Sequence, residues 1–285
     1  MKILGISSFF HDSAAALIDG SVVVAAAEEE RFSRIKHDNS FPINSIEFVL
    51  NIGNLSIHDV DYVVFYEKPI LKLHRILFSN SKNIFKNLNS QIDLLKSWDK
   101  NKISTRNFIS SVLGVKKNKI LFFEHHFSHA ASAFYCSSFK SSDLYTSDAV
   151  GEWCSTTYGN TKNKELIRSG KVNFPDSIGL LYTAFTEFLG FEVNEGEYKV
   201  MGMAPYGKPI YQDKIDKLFK KKGLNFEIDQ SFFNFNIESG SNLTQKFIKE
   251  FGDRREIGDN FYLENFSEDL STEKIFDKKL INSKS

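Results

Sequence analysis

An α/β fold is predicted for this chain of 285 residues by three features of its sequence. A hairpin signal sits between β-branched runs near the N-terminus, helical apolar spacing follows it, and short apolar strand-like runs then return on either side of further helical spacing. With 41% hydrophobic residues the chain can bury a core, and its length suits one large domain or two lobes. Lys plus Arg equals Asp plus Glu at 36 each, so no net field would hold the protein on nucleic acid or an anionic membrane, and neither is expected as a partner. Two cysteines, Cys136 and Cys154, are too few for a disulfide framework. The start, MKILGISSFF, lacks the basic region, long apolar stretch and cleavage site of a signal peptide, so a cytoplasmic protein is expected. No run approaches the ~20 apolar residues needed to span a bilayer. The 28 phenylalanines are read as core filling in a Lys- and Asn-rich chain.

The elements follow in order. KILGIS, AAALI and VVVAAAEEE, with Asp19-Gly20 as a turn between the last two, predict three sequential strands over residues 2 to 30, and FFHDS becomes a loop at a strand end. Pro42 at the first helical position and Ile43, Ile46, Val49 and Leu50 predict a helix, and VDYVVFY a strand. Residues 70 to 113 carry helical periodicity in LLKSW and FISSVL, and KILFF at 119 to 123 reads as a buried strand. An antiparallel meander is predicted around residues 144 to 173, with turns at 159 to 163 and at Ser169-Gly170. A helix from about Ser177 to Gly190 takes Asp176 or Ser177 as its cap. EGEYKVMGMAPYGKP reads as a Gly- and Pro-rich loop, and from about Lys220 the pattern thins toward a polar end.

Three of the seven histidines fall within five residues, in EHHFSHAASAFYCSSF after the KILFF strand. On a helix over residues 126 to 138, His125 and His129 stand one turn apart on one face, where a single metal ion could reach both. A helix N-terminus disfavours the imidazolium, leaving the neutral ring that ligates metal. The alanines at 130, 131 and 133 would allow close packing on a sheet. The competing reading is a capping and packing cluster. HExxH chemistry is disfavoured because Phe127 stands where the protease glutamate would be. Asp148, ending the strand LYTS ahead of AVGEW, is the candidate third ligand or else an ordinary turn aspartate.

Elsewhere, His11 beside Asp12 at a strand end could be an oriented general base toward a hydroxyl, or an exposed turn residue. Arg31, Arg34 and Lys36 in EEERFSRIKH are cations at a strand end, where a phosphate would bind, or a solvated face. Gly196, Gly202 and Gly207 would let backbone approach a ligand, an unspecific sign without a Walker spacing.

Taken together, ILGISSFFHDSAAALIDG, AAEEERFSRIKH, EHHFSHAASAFYCSSF, DAVGEW, FPDSIGLLYTAFTEFLGF and EGEYKVMGMAPYG resemble the O-carbamoyltransferases of the nodulation-protein and antibiotic type. The resemblance runs from residue 3 to about 209. It implies the N-terminal lobe of an actin/sugar-kinase-like (ribonuclease H-like) α/β fold, a mixed β-sheet with flanking helices, and transfer of a carbamoyl group from carbamoyl phosphate to a small-molecule hydroxyl acceptor, with ATP forming a carbamoyl-adenylate. It implies a divalent metal, iron in the first instance, on His125, His129 and Asp148, with His11 as the base. Lys36 and Arg31, with Glu197 and Lys199, would serve the substrates. The usual Asp-Gly-Val-Gly-Glu reads Asp148-Ala149-Val150-Gly151-Glu152 here, so Ala149 needs a permitted backbone angle. The expectation is an incomplete carbamoyltransferase domain over residues 1–260 and a polar tail over 261–285, inactive without a second polypeptide carrying the C-terminal lobe. The alternatives are a protein like tRNA threonylcarbamoyl transferase and a non-catalytic remnant or binding module.

Overall fold

The computed structural model describes residues 1–79, 104–207, 209–235 and 241–257. The chain divides into two compact units, Met1–Lys140 with Gly151–Trp153, and Ser141–Val150 with Cys154–Ser285. Among the described residues no helix is long and apolar enough to cross a membrane.

In the first unit the predicted hairpins form as β1 (Lys2–Ser7), β2 (Ala14–Asp19) and β3 (Val22–Glu28), with Gly20 supplying the positive φ of the turn. α1 (Glu30–Ser33), α2 (Ile43–Ile52), β4 (Tyr62–Phe65), α3 (Pro69–Phe78), α4 (Thr105–Leu113), β5 (Ile120–Phe122) and α5 (His125–Tyr135) follow. The sheet is mixed, in the order β3-β2-β1-β4-β5. Its first three strands are antiparallel, whereas β4 runs parallel to β1 and β5 parallel to β4. α/β architecture is therefore present as expected.

Alternation along the strands sets the core. Leu4, Ile6, Ala15 and Leu17 are buried with Ile46 and Val49 of α2 and with Val63, Ile109 and Ile120, while Gly5, Ser7, Ala14 and Ala16 are only half-buried. Those small residues help to line a cavity of about 840 Å³ that also takes in Glu28, Arg31, Tyr66 and Ser128.

Two boundaries differ from expectation. Pro42 stands just outside α2 as its cap residue rather than at its first position. The first-turn donors are satisfied instead by Glu29, 2% exposed, whose carboxylate accepts from Asn44 N (3.2 Å), Ser45 N (2.9 Å) and Ser45 Oγ (2.8 Å). α5 opens at His125 and stops at Tyr135, not 138. LLKSW lies outside the described residues.

In the second unit β6 (Asp143–Ser147), β7 (Cys154–Lys162) and β8 (Glu165–Asn173) form the expected antiparallel meander. Its β7–β8 turn is Asn163-Lys164, both at positive φ, at the end of the expected 159 to 163 turn, whereas Ser169-Gly170, expected as a second turn, lies inside β8. Gly159 and Gly170 lie inside the strands, where a Cβ would come 1.9 Å from the Ile167 carbonyl oxygen and 2.2 Å from the Tyr158 ring respectively. These glycines serve close cross-strand approach beside a register shift, not reversal.

α6 (Ile178–Phe188) starts on Ser177, whose Oγ accepts from Leu180 N at 3.0 Å, as one of the two proposed caps. The segment read as a Gly-Pro loop is instead α7 (Glu197–Met203) and a 3₁₀ turn over Ala204–Tyr206. Gly196 and Gly202 are at negative φ there, and Pro205 sits in the first turn of the 3₁₀ segment, so neither residue type breaks the path. Then come α8 (Gln212–Leu218), the hairpin β9 (Phe219–Lys222) and β10 (Asn225–Ile228), and α9 (Gln245–Phe251), the last two elements lying where the sequence pattern thins. Phe226, Phe232, Phe233, Leu243 and Phe247 form the core with Val172, Ala184 and Leu218. Residues 261–285, expected as a polar tail, lie outside the described residues.

Candidate functional site

Two residues separate β5 from α5, so the N-terminus of α5 meets the end of the sheet. Three contacts hold it there. Ser128 Oγ donates to the Tyr66 carbonyl at 3.0 Å, at the end of β4. Glu152, 5% exposed, accepts from His125 N at 3.0 and 3.2 Å, and its Oε1 also accepts from Lys68 N at 2.8 Å. A carboxylate at a helix N-terminus satisfies orphan donors and complements the dipole. The family-like DAVGEW run pointed to Asp148 and passed over Glu152, because an acceptor for backbone donors from two other segments is invisible in linear sequence.

His126, Ala130 and Phe134, spaced four apart, are the buried face of α5. Of the three alanines proposed for close packing, Ala130 is buried and Ala133 is exposed. His125 and His129 occupy the adjacent face, as the one-turn spacing predicts. Their Nε2 atoms are 3.1 Å apart, with rings at 90°. Two nitrogens each ~2.0–2.1 Å from one ion lie ~2.9–3.4 Å apart for ligand angles between square and tetrahedral, so the pair fits a shared metal. Gly151 packs against His125 and His126, where a Cβ would lie 3.1 Å from His125 Cβ and Cδ2 and 3.2 Å from His126 Cδ2.

Asp148 belongs to the second unit, at the end of β6. Its amide donates to the Ser155 carbonyl at 2.9 Å, its Oδ1 accepts from Ala149 N at 2.7 Å, and Ser177 Oγ donates to the carbonyls of Asp148 (3.1 Å) and Ala149 (2.7 Å). Gly179 presses against the same turn: a Cβ there would come 2.5 Å from Ala149 N and 2.6 Å from Asp148 C. Ala149 is not among the residues at positive φ, so the departure from a glycine at that position needs no strained angle.

A second cluster gathers around the FFHDS loop of the first unit. Asp12 Oδ2 lies 2.7 Å from His11 Nδ1 and Asp12 Oδ1 lies 2.8 Å from His37 Nδ1. Burial raises the Asp12 pKa, but hydrogen bonds from His37 and His11, with their positive fields, outweigh it and hold the carboxyl below its ordinary value. His37 N donates to Glu30 Oε2 at 3.1 Å. His37 was missed in the sequence: it lies 25 positions from Asp12, and only the hairpin and α1 return it to the loop.

Arg31 is exposed and engaged by Glu28 (3.2 Å) and Glu30 (3.4 Å), and it lines the same cavity as Ser128, one residue before His129. Lys36, next to His37, is exposed. Glu197 and Lys199 belong to the second unit. There Glu197 Oε1 accepts from Asn194 N (3.0 Å) and Thr183 Oγ1 (3.4 Å), bracing the start of α7, while exposed Lys199 lies 5.8 Å from the Tyr198 ring.

A family model described as the carbamoyltransferase N-terminus matches residues 2–281. An uncharacterised protein of Synechocystis sp. is 43% identical over 260 residues, covering 88% of this chain and 42% of that protein. Nodulation protein NolNO of Sinorhizobium fredii is 33% identical over 220 residues, 75% of this chain and 30% of its own length. Nodulation protein NolO of Bradyrhizobium diazoefficiens is 37% identical over 97 residues, 33% of this chain and 17% of its own. The chain thus spans less than half the length of these relatives. With a match extending across nearly every residue, this chain belongs to the carbamoyltransferase N-terminus family.

Proposed function

We propose that this chain contributes the acceptor-side and metal-holding part of an O-carbamoyltransferase, on an actin/sugar-kinase-like lobe. The observation that carries the reading is the 3.1 Å approach of His125 Nε2 to His129 Nε2 on one face of α5. The mixed sheet, with three antiparallel strands followed by two parallel ones, is compatible with such a lobe.

In this reading His125, His129 and Asp148 hold a divalent metal, iron in the first instance. Chain connectivity supports the third ligand: Gly151 lies against His125, and three residues of extended chain reach no more than ~11 Å. When bound, the ion supplies Lewis-acid polarisation of the carbamoyl oxygens. Donor-side chemistry, with carbamoyl phosphate and ATP as co-substrates and a carbamoyl-adenylate between them, belongs to the proposal as well.

The chain's own residues have narrower tasks. His11, more than half exposed in the loop after β1, would accept the proton of an incoming hydroxyl. Arg31 and Lys36 supply positive charge for a phosphate or adenylate, and Arg31 would have to exchange its contacts with Glu28 and Glu30 to do so. Glu197 already braces α7, so its substrate role and that of Lys199 would be in addition to that bracing.

Metal analysis tests the centre. Protein purified with Fe(II) should hold about one ion per chain, and His125→Ala and His129→Ala should each lose most of it; equal content in wild type and His125→Ala removes the assignment. Carbamoyl phosphate and ATP consumption is then followed with a panel of hydroxyl acceptors, with and without the product of the adjoining gene. His11→Asn should abolish any transfer found while leaving metal content unchanged.

A further inference from the structure

We propose that Asp12 is a positioning residue shared by two imidazoles, fixing His11 and His37 as a pair of acid–base groups in one site. Each ring directs Nδ1 at a different oxygen of the same carboxylate, at 2.7 Å for His11 and 2.8 Å for His37. An ionised carboxylate only accepts hydrogen bonds, so both Nδ1 atoms must carry the proton. In the neutral rings Nε2 is then the basic nitrogen, directed away from Asp12. This is the arrangement by which a carboxylate sets tautomer and aim of a base, here applied twice.

The approach of His37 to Asp12 is built rather than incidental. Ser13 N donates to the Asp38 carbonyl at 2.8 Å and Phe9 N to the Asn39 carbonyl at 2.9 Å, closing the 9–13 loop onto the 37–39 segment on both sides of the triad. His37 N is held by Glu30 Oε2 at 3.1 Å. Phe9, Asp12, Arg34 and His37 all take positive φ, at 71°, 49°, 61° and 55°. Four left-handed non-glycine residues gathered in two facing segments cost backbone energy that a plain surface loop would not retain.

A divalent cation is the rival occupant, because ligand atoms of Asp12, Glu30 and His37 lie within 4.8 Å of one another. Both Asp12 oxygens already face an Nδ1 atom, and Glu30 accepts from His37 N and lies 3.4 Å from the Arg31 guanidinium, so a cation would have to displace these contacts.

The inference builds on His11 as the base but needs neither metal nor turnover, so the two can fail separately. Long-range ¹H–¹⁵N correlation of the imidazoles, assigned with His11→Gln and His37→Gln, is recorded on the full chain at about pH 8.5, where ordinary histidines are neutral. Both rings should show protonated Nδ1 in the wild type. Asp12→Asn, which leaves a single acceptor oxygen, should retain that form in at most one ring, and Asp12→Ala in neither. The unfolding midpoint of each variant is measured on the same samples, so that the isosteric Asp12→Asn carries the test if Asp12→Ala does not fold. A protonated Nε2 in either wild-type ring, or unchanged tautomers in both rings of Asp12→Asn, overturns the proposal. Loss of the His37 Nδ1 proton on adding Zn²⁺ to the His125→Ala protein also overturns it, in favour of a cation site. In any transfer assay Asp12→Asn should lower kcat and leave KM nearly unchanged, whereas a fall in folded fraction alone would scale with the unfolding data.

Discussion

The buried core of the first unit is aliphatic apart from Phe65, with Phe9, Phe41, Tyr66, Phe108 and Phe122 packed at its edge, whereas phenylalanines make up nearly half of the buried core of the second. Under the mixed sheet, Leu4, Leu17, Val49, Val63, Ile109 and Ile120 fill the space between strands and α2, and the alternation of the strands decides which residues take part. In the second unit Phe226, Phe232, Phe233 and Phe247 meet Phe185, Phe188 and Phe251, with the Phe247 and Phe251 rings 4.5 Å apart and stacked. Phenylalanine, abundant in the sequence and read as core filling, is there the main packing material of a unit whose short strands and helices show little periodicity. A few large rings bury as much area as many aliphatic groups, so short elements can share a core without a long amphipathic pattern.

This contrast can be broken by truncation. Phe247→Ala, at a fully buried ring in contact with several others, should cost about 3–5 kcal/mol in denaturant unfolding. Leu17→Ala, equally buried but bordered by β-sheet side chains, should cost about 2–4 kcal/mol. A larger loss for Leu17→Ala than for Phe247→Ala would show that aromatic content is not what distinguishes the second core. Ser177→Ala sharpens the picture at the small end. It removes one helix cap and two hydrogen bonds to the Asp148–Ala149 turn, and should cost about 1 kcal/mol while lowering metal content if Asp148 is a ligand. Unchanged metal content in that variant would detach the turn from the proposed centre.

The two histidine pairs differ in the same instructive way. His125 and His129 could be paired from sequence because one helical turn is a local rule, and the structure sets their nitrogens 3.1 Å apart. His11 and His37 could not, since their meeting at Asp12 depends on a hairpin, a left-handed turn at Arg34 and two backbone hydrogen bonds between distant segments. Glu29 and Glu152 were passed over for a related reason. In linear sequence they read as members of charged or motif runs, and only packing turns each inward to serve the N-terminus of a helix elsewhere in the chain.

Local chemistry alone determined the three N-terminal strands, the Asp19-Gly20 turn, the Ser177 cap and the one-turn histidine pair, because each depends on backbone preference and side-chain period within a few residues. Tertiary structure decided that Gly159 and Gly170 sit inside strands, that EYKVMGM is a helix, and that one carboxylate faces two imidazoles. Those outcomes turn on which distant atoms come within a few ångströms, a quantity that close packing settles and residue order does not encode position by position.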